Sequence, residues 1–213
     1  MTLLDLSPDE LLSTTRAVRK RLDLDRPVPL EVVKECIAVA QQAPTGSNRQ
    51  QWSFVVVTDE AKRAKLGEIY ARAFAIYRSM PGIEYENEDR AATQERVISS
   101  AVYLAEIMGQ APVLVLPCIE GRPDNQPNVL ASSLLGSIIP AAWSFCLAAR
   151  ARGLGTSWTT LHLIFEQEAA EVLDIPYDEV SQVALIPVAY TKGTDFKPAP
   201  RDPVESILHV DGW

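Results

Sequence analysis

The stretch from Leu130 to Arg152 constrains the fold more than any other part of the sequence. Its pattern is helical and apolar nearly all round, the property of a helix enclosed by protein on every side. Four serines and Pro140 interrupt Leu130 to Ala149, so no run of about 18 uninterrupted apolar residues marks a membrane span. Such a helix needs other elements packed around it. The 213 residues suffice for one sizeable core, and a single domain over 1–213 is expected. The first ten residues lack the positively charged region ahead of an apolar stretch that a secretory signal needs, so a cytoplasmic protein is expected. With 28 acidic against 20 basic side chains, the net charge of -8 repels a polyphosphate chain, which argues against a nucleic-acid partner.

The elements that would surround this helix are legible. Ser7-Pro8-Asp9-Glu10 reads as a helix start that ends near Thr15, with Ser7 as cap and Glu10 three residues on. Leu30, Val33, Ile37 and Ala40 share one face of a helix running to Ala43, where Pro44 stops it. Ser53 to Thr58 is a β-branched run expected to be a strand buried on both faces. Leu66, Ile69, Ala73 and Ile76 mark a further helix that fails around Met80-Pro81-Gly82, after which residues 82–90 are acidic and irregular. A helix from about Ala91 to Met108 precedes a second strand, Val113 to Ile119, whose Pro117 suggests an edge, an end or a bulge. A short helix over Gln167 to Leu173 and a third strand from Gln182 to Tyr190 complete the body. The pattern implies an α+β layered fold with a central mixed sheet. The tail from Thr191 is rich in proline and charge and must dock on the body or on a partner chain.

Chemistry-bearing residues are few. Cys36, Cys118 and Cys146 are widely spaced and odd in number, which suits buried thiols and neither disulfides nor a zinc site. His162 and His209 are too few for a histidine-rich metal centre, and no metal site is expected. No nucleophile elbow or paired catalytic carboxylates stand out, so a cofactor would have to carry any chemistry and no catalytic side chain is assigned.

Three segments remain. Arg16, Arg19, Lys20 and Arg21 concentrate cations in an acidic protein; three-residue spacing puts Arg16 and Arg19 on one side of a helical turn. They read either as a clamp for one phosphate, which forked guanidinium donors suit, or as a solvated basic face. Pro44-Thr45-Gly46-Ser47-Asn48 offers hydroxyls, an amide and a close backbone approach, or is an ordinary turn; Gln50 to Val57 fixes it between a helix and a core strand. Gly153-Leu-Gly155 follows a helix rather than a strand, so it is no dinucleotide fingerprint, and Gly153 reads as a helix cap.

Arg16-x-x-Arg19, Ala43-Pro-Thr-Gly-Ser-Asn48-x-Gln50-x-Trp52, Gly153-Leu-Gly155-Thr-Ser-Trp158, Ile175-Pro-Tyr-x-x-Val180 and Arg201-x-Pro203 occur in order across nearly the whole chain. Together they resemble the FMN-dependent nitroreductase family. The wording around Thr14 to Asp23 and Trp158 to His162 is most similar to an actinobacterial branch. The resemblance implies a nitroreductase-like intertwined homodimer with two FMN molecules in clefts built from both chains. It places Arg16, Ala17, Val18 and Arg19, joined by Arg201, at the flavin phosphate. Pro44, Thr45, Gly46 and Asn48 of the other subunit would reach the ring and ribityl chain, with Ser137, Trp158, Thr159 and Thr160 along the isoalloxazine.

Two departures bear on this. Many members have Ser at Ala17 and Arg at Thr15, which removes a hydroxyl and a cation, with Lys20 or Arg21 as candidates to compensate; some carry Glu at Thr160. The activity implied is ping-pong reduction of a small aromatic acceptor, a nitro compound or quinone, with NAD(P)H as reductant and backbone dipoles stabilising the reduced ring. The alternatives are a specialised reaction of the same scaffold, such as ring modification, dehalogenation or use of a deazaflavin donor, and a flavin- or deazaflavin-binding protein with little turnover. The segments 78–89 and 121–128 are expected to cover the cleft and set this choice.

Overall fold

The computed structural model describes residues 3–81 and 88–213. Most of the acidic stretch read as irregular, and residues 82–87 of the expected cleft cover, lie outside the described residues. Helix α1 (Pro8–Thr14) opens with the expected capping box: Ser7 Oγ accepts from the Glu10 N–H at 3.2 Å, and the Glu10 carboxylate accepts from the Ser7 N–H at 2.8 Å. Strand β1 (Leu22–Asp23) follows, then α2 (Leu30–Ala40), whose buried seam is Val32, Val33, Cys36 and Ala40. The helix stops short of Ala43. Its last bonds tighten to Gln42 N–Val39 O and Ala43 N–Ala40 O ahead of Pro44.

The sheet contains β2 (Trp52–Val57), β3 (Val113–Glu120), β4 (Leu154–Thr156), β5 (Val180–Gln182) and β6 (Ile186–Thr191), with order β1-β6-β3-β2, β4 on β6 and β5 on β3. Among the described residues every ladder is antiparallel, and parallel pairing is confined to the isolated bridges Ala17–Thr156 and Gly121–Val180. The expected third strand is two, β5 and β6. Alternation along β3 builds both cores. Leu114, Leu116 and Cys118 face Leu66, Ile69 and Met108 on one side, while Val113 and Val115 face Val33, Phe145 and Ala149 on the other. Helices α3 (Glu60–Ser79), α4 (Glu88–Ile107) and α6 (Glu166–Leu173) cover the first face, and α2 and α5 (Asn128–Ala151) the second. The three thiols are free and buried, and burial pushes Cys36 and Cys146 up to about 11 and Cys118 to about 12.

Two expectations change here, and the bulge read at Pro117 is borne out: Leu116 and Pro117 of β3 stand opposite three residues, Val183 to Leu185, where the register passes from β6 to β5. Pro117 lies inside the central strand, opposite Phe54, where the other side of β3 passes from β6 at Val115 to β5 at Cys118. Its carbonyl accepts from the Val183 N–H at 2.9 Å, and since a strand residue's N–H and C=O point the same way, the missing donor falls in that handover. Strand β2 is an edge, with only Val57 buried, so within one chain it is not covered on both faces.

Helix α5 is likewise enclosed only in part. Ile138, Ala141, Phe145 and Ala149 are fully buried, but Val129 is 73% exposed and Trp143 40%. Its length and apolarity would serve to cross a membrane, yet α2 and β3 pack along it and Arg150 near its end is buried in protein. Gly153 caps it with φ +74°. The tail touches the body through Thr194 to Asp202 and then leaves it, with Ile207, Leu208, Val210 and Trp213 exposed.

Candidate functional site

The cationic segment lies between α1 and β1, and it is extended rather than helical. Ala17 bridges Thr156 and the Val18 N–H donates to the Thr156 carbonyl at 2.8 Å, which draws the backbone onto the sheet. Val18 turns inward, Arg16 stays exposed and Arg19 is half-buried. Both arginines still line one cleft of about 400 Å³, together with Ala17, Val18, Lys20, Arg21, Ser100 of α4 and Asp195 to Lys197 of the tail. Five cations thus face one carboxylate, in a chain of net charge -8.

Neighbouring elements aim these cations. Arg19 Nη1 donates to Ser100 Oγ at 2.8 Å, Lys20 Nζ to Ser99 Oγ at 2.8 Å, and Arg16 Nη1 to the Lys197 carbonyl at 2.9 Å. The Arg19 Nε is buried without a partner. Arg21 is committed to the tail: it donates to the Lys192 carbonyl, pairs with Asp195 and stacks over Phe196 at 4.3 Å. Of the two candidates to compensate for Thr15 and Ala17, Arg21 is therefore held and Lys20 leans on α4, while Ser100 adds a hydroxyl and Lys197 a cation.

A second cleft, of about 390 Å³, lies under the loop after α2 and is lined by Thr45, Gly46, Arg49, Arg122, Ser133 and Ser137 among others. Ser47, Asn48 and Gln50 take φ of +52°, +54° and +52°, the left-handed region rarely adopted by residues with side chains. The Gly46 N–H donates to Ser137 Oγ at 3.0 Å. On the far side Arg122 makes two 2.9 Å bonds to Glu166, another to Asp124, and stacks on Tyr177. The Glu166 pairing raises the Arg122 pKa further above its usual value.

One segment runs beside both clefts, with none of residues 153–160 among those that line either. Thr156 meets Val18 beside the first; Trp158 packs with Trp52, Ile119 and Ile138 beside the second. Thr159 is buried with its hydroxyl donating to the Leu185 carbonyl, whereas Thr160 is exposed ahead of a short 3-10 turn over Leu161–Phe165. Within that turn His162 is fully buried, both ring nitrogens lack partners, and burial pulls its pKa down to about 3.

On one chain the expected residues therefore fall into two groups. Arg16, Ala17, Val18 and Arg19 line the first cleft, and Thr45, Gly46 and Ser137 the second, with no lining residue in common. Pro44 and Asn48 are exposed beside the loop. Arg201 lines neither cleft, its guanidinium resting on the Pro200 carbonyl at 2.9 Å. Sequence reasoning did not single out Ser99, Ser100, Lys197, Ser133 and Arg122. The first two are ordinary polar positions on a helix and carry no local signal.

The chain is 30% identical over 156 residues to the 5,6-dimethylbenzimidazole synthase of Rhodospirillum rubrum, covering 70% of this chain and 67% of that one. A structure of oxidized iodotyrosine deiodinase bound to FMN and 3-iodo-L-tyrosine matches with a TM-score of 0.71 at 24% identity, over 95% of this chain and 98% of that one. An FMN-dependent nitroreductase of Mycobacterium smegmatis in complex with NADPH matches with a TM-score of 0.69 at 22% identity, over 96% and 97%. At such identities these two structures establish the fold. The model of the nitroreductase family matches residues 12–190, which takes in the second cleft and all of the first but Asp195 to Lys197, and the chain belongs to that family.

Proposed function

We propose that the chain is an FMN-dependent oxidoreductase that works as a homodimer, takes hydride from NAD(P)H and reduces small aromatic acceptors of the nitro or quinone type. The observation that carries this reading is the first cleft: five cations around one carboxylate suit a terminal phosphate dianion, and the unpartnered Arg19 Nε leaves a donor to spare. When bound, FMN would supply the hydride chemistry.

The protein's part is placement. Arg16 and Arg19 hold the phosphate, with the Ala17–Val18 backbone between them, and Ser100 keeps Arg19 aimed. The loop carrying Pro44, Thr45, Gly46 and Asn48 reaches the same coenzyme from the partner subunit, so that two clefts separate on one chain become one across two. The exposed apolar half of α5, with Val129, Leu130, Ile139 and Trp143, supports such an interface, as does the bare end of the tail. Solvent protonates the product, and no side chain acts as an obligatory acid.

The deiodinase and the synthase among the relatives favour a second reading, a specialised reaction on this scaffold, and Thr160 bears on that choice. The deciding experiment is the absorbance spectrum of the purified protein, followed by anaerobic mixing with NADH and NADPH in parallel. Nitroaromatics, quinones and 3-iodo-L-tyrosine are then offered as acceptors. A yellow dimer that bleaches with a reduced nicotinamide and recolours with a nitroaromatic or quinone is expected. Colourless protein that takes up no added FMN would sink the reading; recolouring by 3-iodo-L-tyrosine alone would move it to the second.

A further inference from the structure

Gly46 approaches α5 more closely than a residue with a side chain can without displacing something. A Cβ at that position would lie 2.7 Å from Ser133 Oγ and 3.4 Å from Ser137 Oγ. Its N–H donates to Ser137 Oγ at 3.0 Å, and Ser137 donates its own proton to the Ser133 carbonyl, one turn earlier, at 2.8 Å. The Ser137 side chain is buried, so its hydroxyl is occupied as acceptor and as donor at once.

Resting on the coenzyme reading above, we propose that Ser137, which the family resemblance sets along the isoalloxazine, is instead a positioning residue that acts through Gly46: with its hydroxyl engaged by Gly46 and Ser133, it seats the loop from Thr45 to Gln51 in the conformation that presents Asn48 and its neighbours to the coenzyme. The loop's own bonds lead back to its root. The Asn48 N–H donates to the Thr45 carbonyl at 3.1 Å, the Arg49 N–H to the Gly46 carbonyl at 3.2 Å, and the Gln50 N–H to Thr45 Oγ1 at 3.4 Å. These bonds bend the loop but fasten it to nothing beyond residues 45 and 46; its far end is held by Gln51, whose carbonyl accepts from the Glu120 N–H at 3.0 Å and whose amide donates to the Glu120 carboxylate at 3.1 Å, which leaves the root as the end that Ser137 must fix. The Gly46 N–H is where that root meets a core helix. A loop with three residues at positive φ has many easier conformations to relax into, so an outside anchor is needed to hold this one. Ser133 completes the seat by leaving room for a glycine and no more.

The test compares Ser137→Ala and Ser137→Thr with wild type by hydrogen exchange at the Gly46 amide in flavin-free protein, and by FMN titration followed through flavin fluorescence. Ser137→Ala is expected to speed Gly46 exchange and weaken FMN binding, each roughly 5- to 10-fold, the equivalent of one hydrogen bond. Ser137→Thr, which keeps the oxygen, is expected to restore both. Wild-type exchange in Ser137→Ala overturns the proposal, as does fast exchange with undiminished FMN affinity, because the loop's seating would then not reach the coenzyme. Should Ser137→Ala fail to fold, Gly46→Ala is expected to weaken FMN binding through the clash with Ser133, and added Ser133→Ala to relieve it; absence of that relief overturns the proposal equally. If wild type binds no FMN, the coenzyme reading fails on its own, and Gly46 exchange still decides whether Ser137 seats the loop.

Discussion

The two clefts are built by opposite means. The first is made of long charged side chains drawn from two parts of the chain, several exposed, and steadied by hydroxyls of α4 and carbonyls of the tail. The second is shaped on one side by a backbone loop in a rare conformation, which meets α5 at the Ser137 hydroxyl and at Ser133. A charged wall tolerates movement, because Coulomb attraction falls off gradually with distance; a backbone wall does not, because a hydrogen bond and a van der Waals contact are lost within an ångström. Affinity should therefore reside mainly in the first cleft and orientation in the second.

The sharpest way to break this comparison is to remove both arginines. Arg16→Ala with Arg19→Ala should weaken FMN binding by about 10²- to 10⁴-fold, given roughly 1.5–3 kcal/mol for each hydrogen bond to a charged group. Riboflavin, which lacks the phosphate, should be nearly indifferent. Equal losses for the two ligands, measured by fluorescence titration, would deny the first cleft its phosphate role.

A smaller effect probes the segment that runs beside both clefts. His162 is neutral in the folded protein with a pKa near 3, while the unfolded chain takes up a proton near 6.5. The unfolded state thus binds more protons below 6.5. The stability conferred is fully present above that pH and declines as pH falls toward 3. The loss should reach about 2 kcal/mol at pH 5. Urea unfolding at pH 8 and pH 5 measures it, and His162→Phe should flatten the slope between them. An unchanged slope in that variant would mean that other groups set the acid sensitivity.

The least effect is expected at Ser100. Its loss frees Arg19 without removing the charge, so Ser100→Ala should weaken FMN binding only about 2- to 5-fold, as one net hydrogen bond allows. A loss as large as that of the double arginine variant would show that aim matters more than charge in the first cleft, against the contrast drawn here.

The sequence made the helix starts, the existence of the longer strands and the two segments that line the clefts legible, because each rests on local spacing or on residue type; which strand lies at the centre of the sheet it did not show. What it could not show is set by distant partners. Arg16 to Arg19 has the spacing of a helical turn, but Thr156 captures its backbone from 140 residues away and extends it. Strands β1 and β4, of two and three residues, are too short to show a period. Ser100 becomes part of the first cleft only because α4 folds against the cationic segment. An all-round apolar helix looks the same in sequence whether its own chain or another covers it, and α5 in one chain is covered over only part of its length.

Pro117 has one more consequence. If β5 or β6 slid along β3, a carbonyl of the moving strand would meet the proline's ring where it needs a hydrogen to accept. Misaligned sheets are thereby penalised at the centre of the molecule, and the native alignment sets the proline where the register changes between β6 and β5. A ring usually taken as a sheet breaker thus serves as a keyway that admits its neighbours in a single setting.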